Sequence, residues 1–260
     1  MASIPALLLL ATLPAFPQVP ADLVAPPAEA LKSPSGLITR VLKPGTDGKH
    51  ADAKDYVTLH YTGWTRDGKV FDSTLAREEP LTLPLERLMK GMGEGVRLMS
   101  EGEVRRMWIP EALAFAGAKG KPVGDLVLDV TLLAVDPPPT QAPADVAQPP
   151  AEARLSRSGL VFRTLRAGTG TVHPGRRSHV NVHYTGWTSD GKMFDSSLLR
   201  GSSADFRLDE VIKGWTEGIQ LMVKGEKARL WIPEKLAYRG EDGKPAGRLV
   251  FDVELLGFWD

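Results

Sequence analysis

The stretch VHYTGWTSDGKMFDSS, residues 182–197, sets the local structure from which the rest of the chain can be worked out. In it, Val182 and Tyr184 alternate with polar residues, which is the pattern of a β-strand with one buried face. The Asp190-Gly191 pair that follows is a strong hairpin signal, so a second strand carrying Phe194 is expected to return beside the first. The pattern therefore predicts an antiparallel hairpin with Tyr184 on its core side.

The same motif occurs earlier in the chain. HYTGW stands at 60–64 and again at 183–187, and the same offset of 123 residues joins Gly36 to Gly159. About half of the positions from Ser35 to Leu133 match their partners without an insertion or deletion. Such self-similarity indicates the tandem duplication of a domain of roughly 100 residues.

Composition suggests how the two copies are joined. The segment VDPPPTQAPADVAQPPAEA is rich in proline and alanine, which favour extended conformations and a semi-rigid spacer. We predict a signal peptide at 1–21, a Pro/Ala-rich spacer at 22–34, a first domain at 35–134, a Pro/Ala-rich linker at 135–153 and a second domain at 154–260.

The apolar run from Ile4 to Phe16 is too short to cross a bilayer, which takes about 20 residues, and two prolines interrupt it. It is similar to the apolar part of a secretory signal, although no Lys or Arg precedes it. We expect a periplasmic or secreted protein whose mature form begins near Asp22. The alternatives are a frayed apolar tail or a misassigned start codon, in which case a cytoplasmic protein is expected.

Charge and composition argue against several function classes. The 32 basic and 32 acidic residues cancel, so no long-range attraction to nucleic acid is expected. The absence of cysteine excludes disulfides and cysteine nucleophiles. His179 and His183 share a strand face, but the first copy has Tyr56 opposite His179, so no metal site is expected. No serine elbow, P-loop or dinucleotide fingerprint is present, and no cofactor is expected.

The remaining periodicity predicts the fold class. Segments 228–232 and 249–255 read as further strands, since apolar residues alternate along the second of them. Trp215, Ile219 and Met222 recur at helical spacing, which places them on one face of a short helix. The first copy repeats that spacing at Met92, Val96 and Met99. An antiparallel sheet that packs on one helix belongs to the α+β class.

In the second copy the pattern predicts that five aromatic side chains lie on the same side of the sheet and the helix: Tyr184, Phe194, Trp215, Tyr238 and Phe251. Core packing explains a single buried aromatic residue, but a cluster of this size in a small domain indicates a pocket. Asp195 places a carboxylate beside the cluster, and Arg200 is its candidate partner, with an ordinary surface ion pair as the alternative.

Four segments of the second copy, VHYTGWTSDGKMFDSS, EVIKGWTEGIQLM, KARLWIPEKLAY and LVFDVELL, resemble in this order the FKBP-type peptidyl-prolyl cis-trans isomerases. The resemblance covers nearly all of the second copy and, more loosely, the first. It implies two FKBP-like domains, each a bent antiparallel β-sheet wrapped around a short α-helix, with a pocket between them. It implies catalytic roles for Tyr184, Phe194, Asp195, Ile212, Trp215, Tyr238 and Phe251, and substrate contacts for Val211 and Arg200.

The activity that the resemblance implies is rotation of X-Pro bonds in client polypeptides that contain proline. That rotation is slow because the planar amide loses resonance, at a cost of about 18–20 kcal/mol. A dry aromatic pocket would favour the less polar, twisted amide without a nucleophile. A monomer is expected. The alternative from a different class is a noncatalytic proline-peptide-binding protein or chaperone.

The first copy keeps part of the pattern, because Tyr61, Phe71, Asp72 and Arg77 match the second. At other pocket positions Met92 replaces tryptophan, Phe115 replaces Tyr238 and Leu128 replaces Phe251. We therefore expect the second domain to carry most of the activity, and the first to be weaker or mainly a binding module. Its expected substrate-binding residues are Tyr61, Phe71, Asp72, Met89, Met92, Phe115 and Leu128.

The second copy also departs from the family pattern. An ungapped reading places Ala204 where a further pocket phenylalanine is usual, and Leu81 at the matching position of the first copy. The flap at Gly240 to Arg248 is short and leaves no room for an inserted domain. These departures argue against tight macrolide binding.

Overall fold

The computed structural model of the chain describes residues 18–46, 50–77 and 79–260. The expected signal segment from Ile4 to Phe16 lies outside these described residues. The chain forms two compact units whose main boundary falls between Val135 and Asp136. Within the described ranges, no helix is both long and apolar enough to span a membrane.

Domain 1 has a seven-stranded antiparallel sheet with the order β1-β2-β6-β7-β3-β4, and β5 also pairs with β3. The strands are β1 (Leu31–Lys32), β2 (Ile38–Lys43), β3 (Tyr56–Thr65), β4 (Val70–Ser73), β5 (Leu81–Pro84), β6 (Val104–Ile109) and β7 (Leu126–Asp136). Helix α1 (Lys90–Arg97) lies between β5 and β6 in the chain.

Domain 2 repeats this order, as β11-β10-β14-β13-β9-β8 with β12 paired to β10. Its strands are β8 (Arg154–Leu155), β9 (Val161–Arg166), β10 (His179–Thr188), β11 (Met193–Ser196), β12 (Ala204–Arg207), β13 (Lys227–Ile232) and β14 (Leu249–Trp259). Its helices are α2 (Ser197–Arg200) and α3 (Lys213–Ile219). The predicted α+β class and the antiparallel sheet are confirmed.

The inner face of the domain 2 sheet packs on α3. Val180, Val182 and Tyr184 of β10 join Trp215 and Ile219 of the helix in one buried cluster. In the β10–β14 register, Tyr184 lies opposite Val253. The alternation in the quoted stretch therefore divides β10 into a core face and an outer face, as the sequence predicts.

Two glycines allow helix α3 to approach the sheet closely. A Cβ atom on Gly218 would lie 2.7 Å from Leu230 Cδ1, and one on Gly214 would lie 2.8 and 2.9 Å from Ile232 Cδ1 and Cγ1. In domain 1, a Cβ atom on Gly91 would crowd the Ile109 side chain in the same way, and one on Gly95 would crowd Met107. Any side chain at these positions would push the helix away from the strand.

The helices are shorter than the sequence pattern predicts. Helix α3 ends at Ile219 and α1 ends at Arg97, so Met222 and Met99 lie beyond them. Both methionines are nevertheless fully buried, and the Met222 N–H donates to the Ile219 carbonyl at 3.0 Å in a tight turn. The expectation that Met222 shares a helix face with Trp215 was wrong, because the turn after the helix carries it back into the core.

The segment expected to be a spacer packs against domain 2 over much of its length. PADVAQPPAEA at 143–153 repeats PADLVAPPAEA at 20–30, and we call each of these segments a strap. Val146 of the second strap is buried on the outer face of the sheet with Trp187, Trp231 and Val250. Because it covers an apolar sheet face, the strap is a structural part of domain 2 rather than a free linker.

Each strap is held by its aspartate. The Asp145 carboxylate pairs with Arg229, and with Arg163 at 3.2 Å, while its carbonyl accepts a hydrogen bond from Trp231 Nε1 at 3.0 Å. The first strap is held in the same way, since Asp22 pairs with Arg106 and accepts from Trp108 Nε1 at 3.0 Å.

We predict that Gly214→Ala lowers the stability of domain 2 by about 1–3 kcal/mol, because the added methyl overpacks against Ile232. The measurement is amide hydrogen exchange of β13 in the full chain at increasing urea concentration. Gly257→Ala is the matched control, since a Cβ there meets nothing within 4 Å. Equal protection of β13 in the two variants would contradict the proposed close approach.

We predict that Asp145→Ala destabilises domain 2 by about 1–2 kcal/mol, because it removes a partly buried partner of Arg229. Glu152→Ala is the control, since the Glu152 side chain is 63% exposed and meets Arg163 at 3.3 Å. Thermal unfolding of the full chain measures both variants. If the two changes cost the same, the strap is not anchored as described.

Candidate functional site

A cavity of about 320 Å³ opens between α3 and the inner face of the domain 2 sheet. Its lining is mostly aromatic and aliphatic, with two carboxylates. The lining residues are Tyr184, Phe194, Asp195, Phe206, Glu210, Val211, Ile212, Trp215, Tyr238 and Phe251. The structure thus brings eight of the nine predicted domain 2 residues together around one cavity, and the ninth, Arg200, bonds to two of them.

Trp215 forms the base of this cavity and is held by rings that meet it edge to face. Its ring centroid lies 5.0 Å from Tyr184, 5.3 Å from Phe251 and 5.4 Å from Phe206, with interplanar angles of 83–90°. Phe194 extends the wall by packing edge-on against Phe251 at 5.5 Å. These contacts leave Trp215 only 4% exposed and its indole orientation well defined.

Gly186 of the HYTGW motif is what lets the wall form. A Cβ at this position would lie 2.6 Å from Phe194 Cζ and 2.7 Å from Phe251 Cε1. The two rings therefore cross directly over the backbone of β10. Sequence reasoning used Gly186 only as part of the repeat and missed this role, which a glycine inside an alternating strand signals.

A polar network stands at one side of the cavity. Tyr184 donates its hydroxyl hydrogen to Asp195 Oδ2 at 2.5 Å, and Arg200 forms an ion pair with the other carboxylate oxygen. Arg200 also donates to the Tyr184 oxygen at 2.9 Å. Burial and the bond to Asp195 raise the pKa of Tyr184, so the phenol remains protonated and continues to donate.

Domain 1 keeps this network. Tyr61 donates to Asp72, and Arg77 pairs with the same carboxylate. Burial and Asp72 raise the pKa of Tyr61 to about 12. Burial acts against ionisation of Asp72, but the hydrogen bonds from Tyr61 and Arg77 outweigh it and lower the pKa of that carboxyl group.

Two further groups offer hydrogen bonds at the cavity. Ile212 precedes the first turn of α3, and its carbonyl accepts from the Trp215 N–H at 2.9 Å, which orients the peptide unit at the start of the helix. Tyr238 follows a short 3₁₀ turn, and Lys244 lies 5.5 Å from its ring centroid. Burial and the negative charges of Asp195 and Glu241 raise the pKa of Tyr238, so its hydroxyl is a donor at neutral pH.

The expected place of the additional pocket residue was wrong by two positions. Phe206 lines the cavity, while Ala204 lies two residues earlier in β12, opposite Val182. Residues 204 and 206 face the same side because side chains on a strand alternate. By the repeat offset, Leu83 and not Leu81 corresponds to Phe206 in domain 1. The missing-phenylalanine argument against macrolide binding therefore no longer holds.

By the repeat offset, seven residues of domain 1 correspond to the lining of this cavity, and we call them the domain 1 cup: Tyr61, Phe71, Leu83, Met89, Met92, Phe115 and Leu128. Met92 and Leu128 are buried, and the other five residues are half-buried. Phe71 and Phe115 lie 6.3 Å apart, edge to face. The floor and one wall are thus aliphatic here, where domain 2 has aromatic rings.

Neither domain presents a metal site in the ranges that the structure describes, where no group of three or more His, Cys, Asp or Glu side chains is suitably placed. His179 stacks on Trp259 at 5.6 Å. His183 shares a hydrogen bond of 3.1 Å with Ser197, whose hydroxyl also accepts from the Tyr184 N–H at 2.8 Å. The Ser197 hydroxyl thus links the His183 side chain to the backbone of Tyr184.

Comparison with known proteins assigns the chain to a family. The model of the family "FKBP-type peptidyl-prolyl cis-trans isomerase" matches residues 47–133 and 170–256. The chain belongs to this family. Both matches fall within the repeated units, so the duplication is a duplication of the FKBP domain.

Individual FKBP-type relatives match either one unit or most of the chain. An "FKBP-type peptidyl-prolyl cis-trans isomerase FkpA" of Aeromonas hydrophila is 50% identical over 107 residues, covering 40% of this chain and 39% of the relative. The protein of that name from Escherichia coli K12 is 32% identical over 235 residues, covering 88% and 86%. Several of the more similar relatives are matched over only about half of their length, such as the 55% covered of the "Macrophage infectivity potentiator" of Trypanosoma cruzi. A crystal structure of FkpA from Escherichia coli is 46% identical over 42% of this chain and 52% of that one, with a TM-score of 0.40.

We predict that domain 2 loses stability in acid through His183. Burial, with a smaller contribution from Lys227, lowers the pKa of this imidazole to about 4, below its usual value of 6.5. Because the folded state binds the proton less tightly than the unfolded state, stability is complete above pH 6.5 and falls toward pH 4. The full effect is about 3 kcal/mol.

Urea unfolding of the full chain between pH 7 and pH 4 tests this prediction. His183→Gln should reduce the slope of stability against pH in that window, while substitution of the stacked His179 by glutamine should not. A slope that His183→Gln leaves unchanged would show that other groups cause the acid sensitivity.

Proposed function

We propose that the protein is a peptidyl-prolyl cis-trans isomerase that accelerates rotation about X-Pro bonds in client polypeptides, mainly through domain 2. The observation that carries the proposal is the rigid aromatic floor at Trp215, held edge-on by three rings beneath a cavity of about 320 Å³. Family membership supports the reaction class, and the geometry supports the choice of domain.

The reaction requires no covalent step. The planar X-Pro amide is polar and resonance-stabilised, whereas the twisted amide has less charge separation. A water-poor pocket therefore favours the twisted form over the ground state. A pyrrolidine ring would lie on Trp215, with Phe194 and Phe251 as walls.

Hydrogen-bond donors would hold the substrate while its amide rotates. Ile212 and Tyr238 line the cavity, and the Ile212 N–H and the Tyr238 hydroxyl would bind carbonyl oxygens of the client. Asp195 is held in place by Tyr184 and Arg200. Its charge would orient the carbonyl before proline, and no proton transfer is required of it.

Domain 1 would bind clients and catalyse weakly. It retains the Tyr61–Asp72–Arg77 network, but Met92 supplies a flexible floor and Phe115 has no hydroxyl. This contrast favours noncatalytic peptide binding as the function of the first unit. Two binding units in one chain would also raise the affinity for clients that reach both.

We further propose that the protein acts in the periplasm or outside the cell. The apolar run from Ile4 to Phe16, followed by Val19-Pro20-Ala21, supports an exported protein. The mass of the N-terminal peptide of the native protein tests this, since an exported, processed chain should begin near Asp22.

We predict that Trp215→Met, which copies the floor of domain 1, lowers kcat/KM for short X-Pro peptides at least about tenfold, equivalent to ~1.4 kcal/mol of transition-state preference. Tyr238→Phe, which copies Phe115, should lower it severalfold. Protease-coupled isomerisation or NMR exchange on the full chain measures both.

Trp259→Met is the matched control, since this tryptophan is 49% exposed and lies at the end of β14. It should stay within about twofold of the unmodified chain. If Trp215→Met retains full activity, the domain 2 pocket is not the catalytic site. If the unmodified chain does not accelerate isomerisation at all, noncatalytic binding is the better description.

A further inference from the structure

We propose that the domain 1 cup is a second peptide site with its own specificity: it binds an aliphatic, non-proline side chain that is flanked by acidic residues. The proposal rests on the proposed function, in which domain 2 takes the proline substrate. It goes further by naming the ligand class for which domain 1 has diverged.

The depth of the cup is kept while its shape changes. Met92 is 3% exposed, as deeply placed as Trp215 at 4%, so the base of the site is in the same place in both domains. A methionine base and leucines at 83 and 128 replace one indole and two phenyl rings. The exchange removes rigid flat surfaces that suit a pyrrolidine ring and puts flexible aliphatic side chains in their place, which suit a leucine or methionine side chain.

Catalytic groups are lost while the scaffold is retained. Phe115 keeps a ring where domain 2 has Tyr238, and it packs on Phe71, but it cannot donate a hydrogen bond to a rotating carbonyl. The carboxylate of Asp72 remains fixed by Tyr61 and Arg77. The cup is therefore built to hold a ligand, with less to stabilise a twisted amide.

The charge at the rim identifies what flanks the bound side chain. Only two charged residues line the domain 2 cavity, Asp195 and Glu210. The first corresponds to Asp72, which Arg77 neutralises, and the second corresponds to Arg87, which is exposed and meets no acidic side chain in the described ranges. This single exchange reverses the charge at one lip of the site.

A second cation is common to both domains. Lys121 lies 5.5 Å from the centroid of the Phe115 ring, as its counterpart Lys244 does from the Tyr238 ring. Glu86 is next to Arg87 in the chain, and its counterpart Asp209 does not line the domain 2 cavity. Because Arg87 takes the place of Glu210 while the lysine is kept, domain 1 favours acidic residues beside the bound aliphatic side chain.

The test uses the full chain carrying ¹³C-methyl methionine and three peptides: Ala-Glu-Leu-Glu-Ala, Ala-Lys-Leu-Lys-Ala and Ala-Glu-Pro-Glu-Ala. We expect the acidic leucine peptide to shift the methyl resonances of Met92 and Met89. It should bind at least about tenfold more tightly than the basic peptide, with an affinity that falls as salt is added. The proline peptide reports on domain 2 through the indole N–H resonance of Trp215 in a chain that also carries ¹⁵N-tryptophan.

Arg87→Glu, which copies Glu210, should weaken binding of the acidic leucine peptide about tenfold or more. Arg97→Glu is the matched control: it makes the same change of charge at an exposed site in the last turn of α1, and it should leave that affinity as it is. The proposal is overturned if the peptide shifts neither methionine methyl, or if both variants bind it as the unmodified chain does.

Failure of this proposal and failure of the proposed function give different results. Loss of the leucine-peptide shifts with X-Pro isomerisation intact removes only the domain 1 site. Absence of isomerisation with the Met92 shifts intact removes only the catalytic proposal.

Discussion

Domain 2 depends on the close contact between a short helix and the sheet, and on the tryptophan that this contact places. Gly214 and Gly218 let α3 lie directly on Ile232 and Leu230, so the helix has no side chain of its own between it and the strand. Trp215, between the two glycines, then reaches the inner face of the sheet beside the rings that hold it. A seven-residue helix has little stability alone, so its packing against the sheet is what keeps it folded. The pocket is a direct result, since its base is the residue that the contact immobilises.

The duplication gives a comparison within one chain, because the two domains share their scaffold and differ in their pockets. The glycine contacts, the strap with its anchoring aspartate and the Tyr–Asp–Arg network are all repeated. Among the pocket positions, the copies differ in the floor, one wall and one lip of the cup. These contacts within each domain are thus kept in both copies, while several residues of the predicted pocket differ.

Sequence reasoning predicted the parts of the fold that depend on periodicity. The alternation in β10 gave the correct inner face, and the aromatic residues it singled out do line one cavity. It missed Phe206 because the chain between β11 and β12 bends through α2, and an ungapped comparison cannot locate a residue after such a turn. It assigned 135–153 to a linker because proline and alanine favour extended chain, whereas an extended chain also lies flat on a sheet. The repeated PAD and PPAEA strings were the available signal, since a free linker has no reason to repeat itself.

The energies involved explain how one scaffold can serve both binding and catalysis. Each tenfold of rate needs only about 1.4 kcal/mol of preference for the twisted amide over the planar one. That preference comes from rigid rings and fixed donors, because a flexible group adapts equally to both forms and so lowers their energies alike. Exchanging Trp215 for a methionine at the same depth therefore removes the preference for the twisted amide over the planar one, while apolar contact with the ligand remains. By this argument a cup like that of domain 1 loses rate before it loses affinity, and it is then free to change its rim charge and take a different ligand.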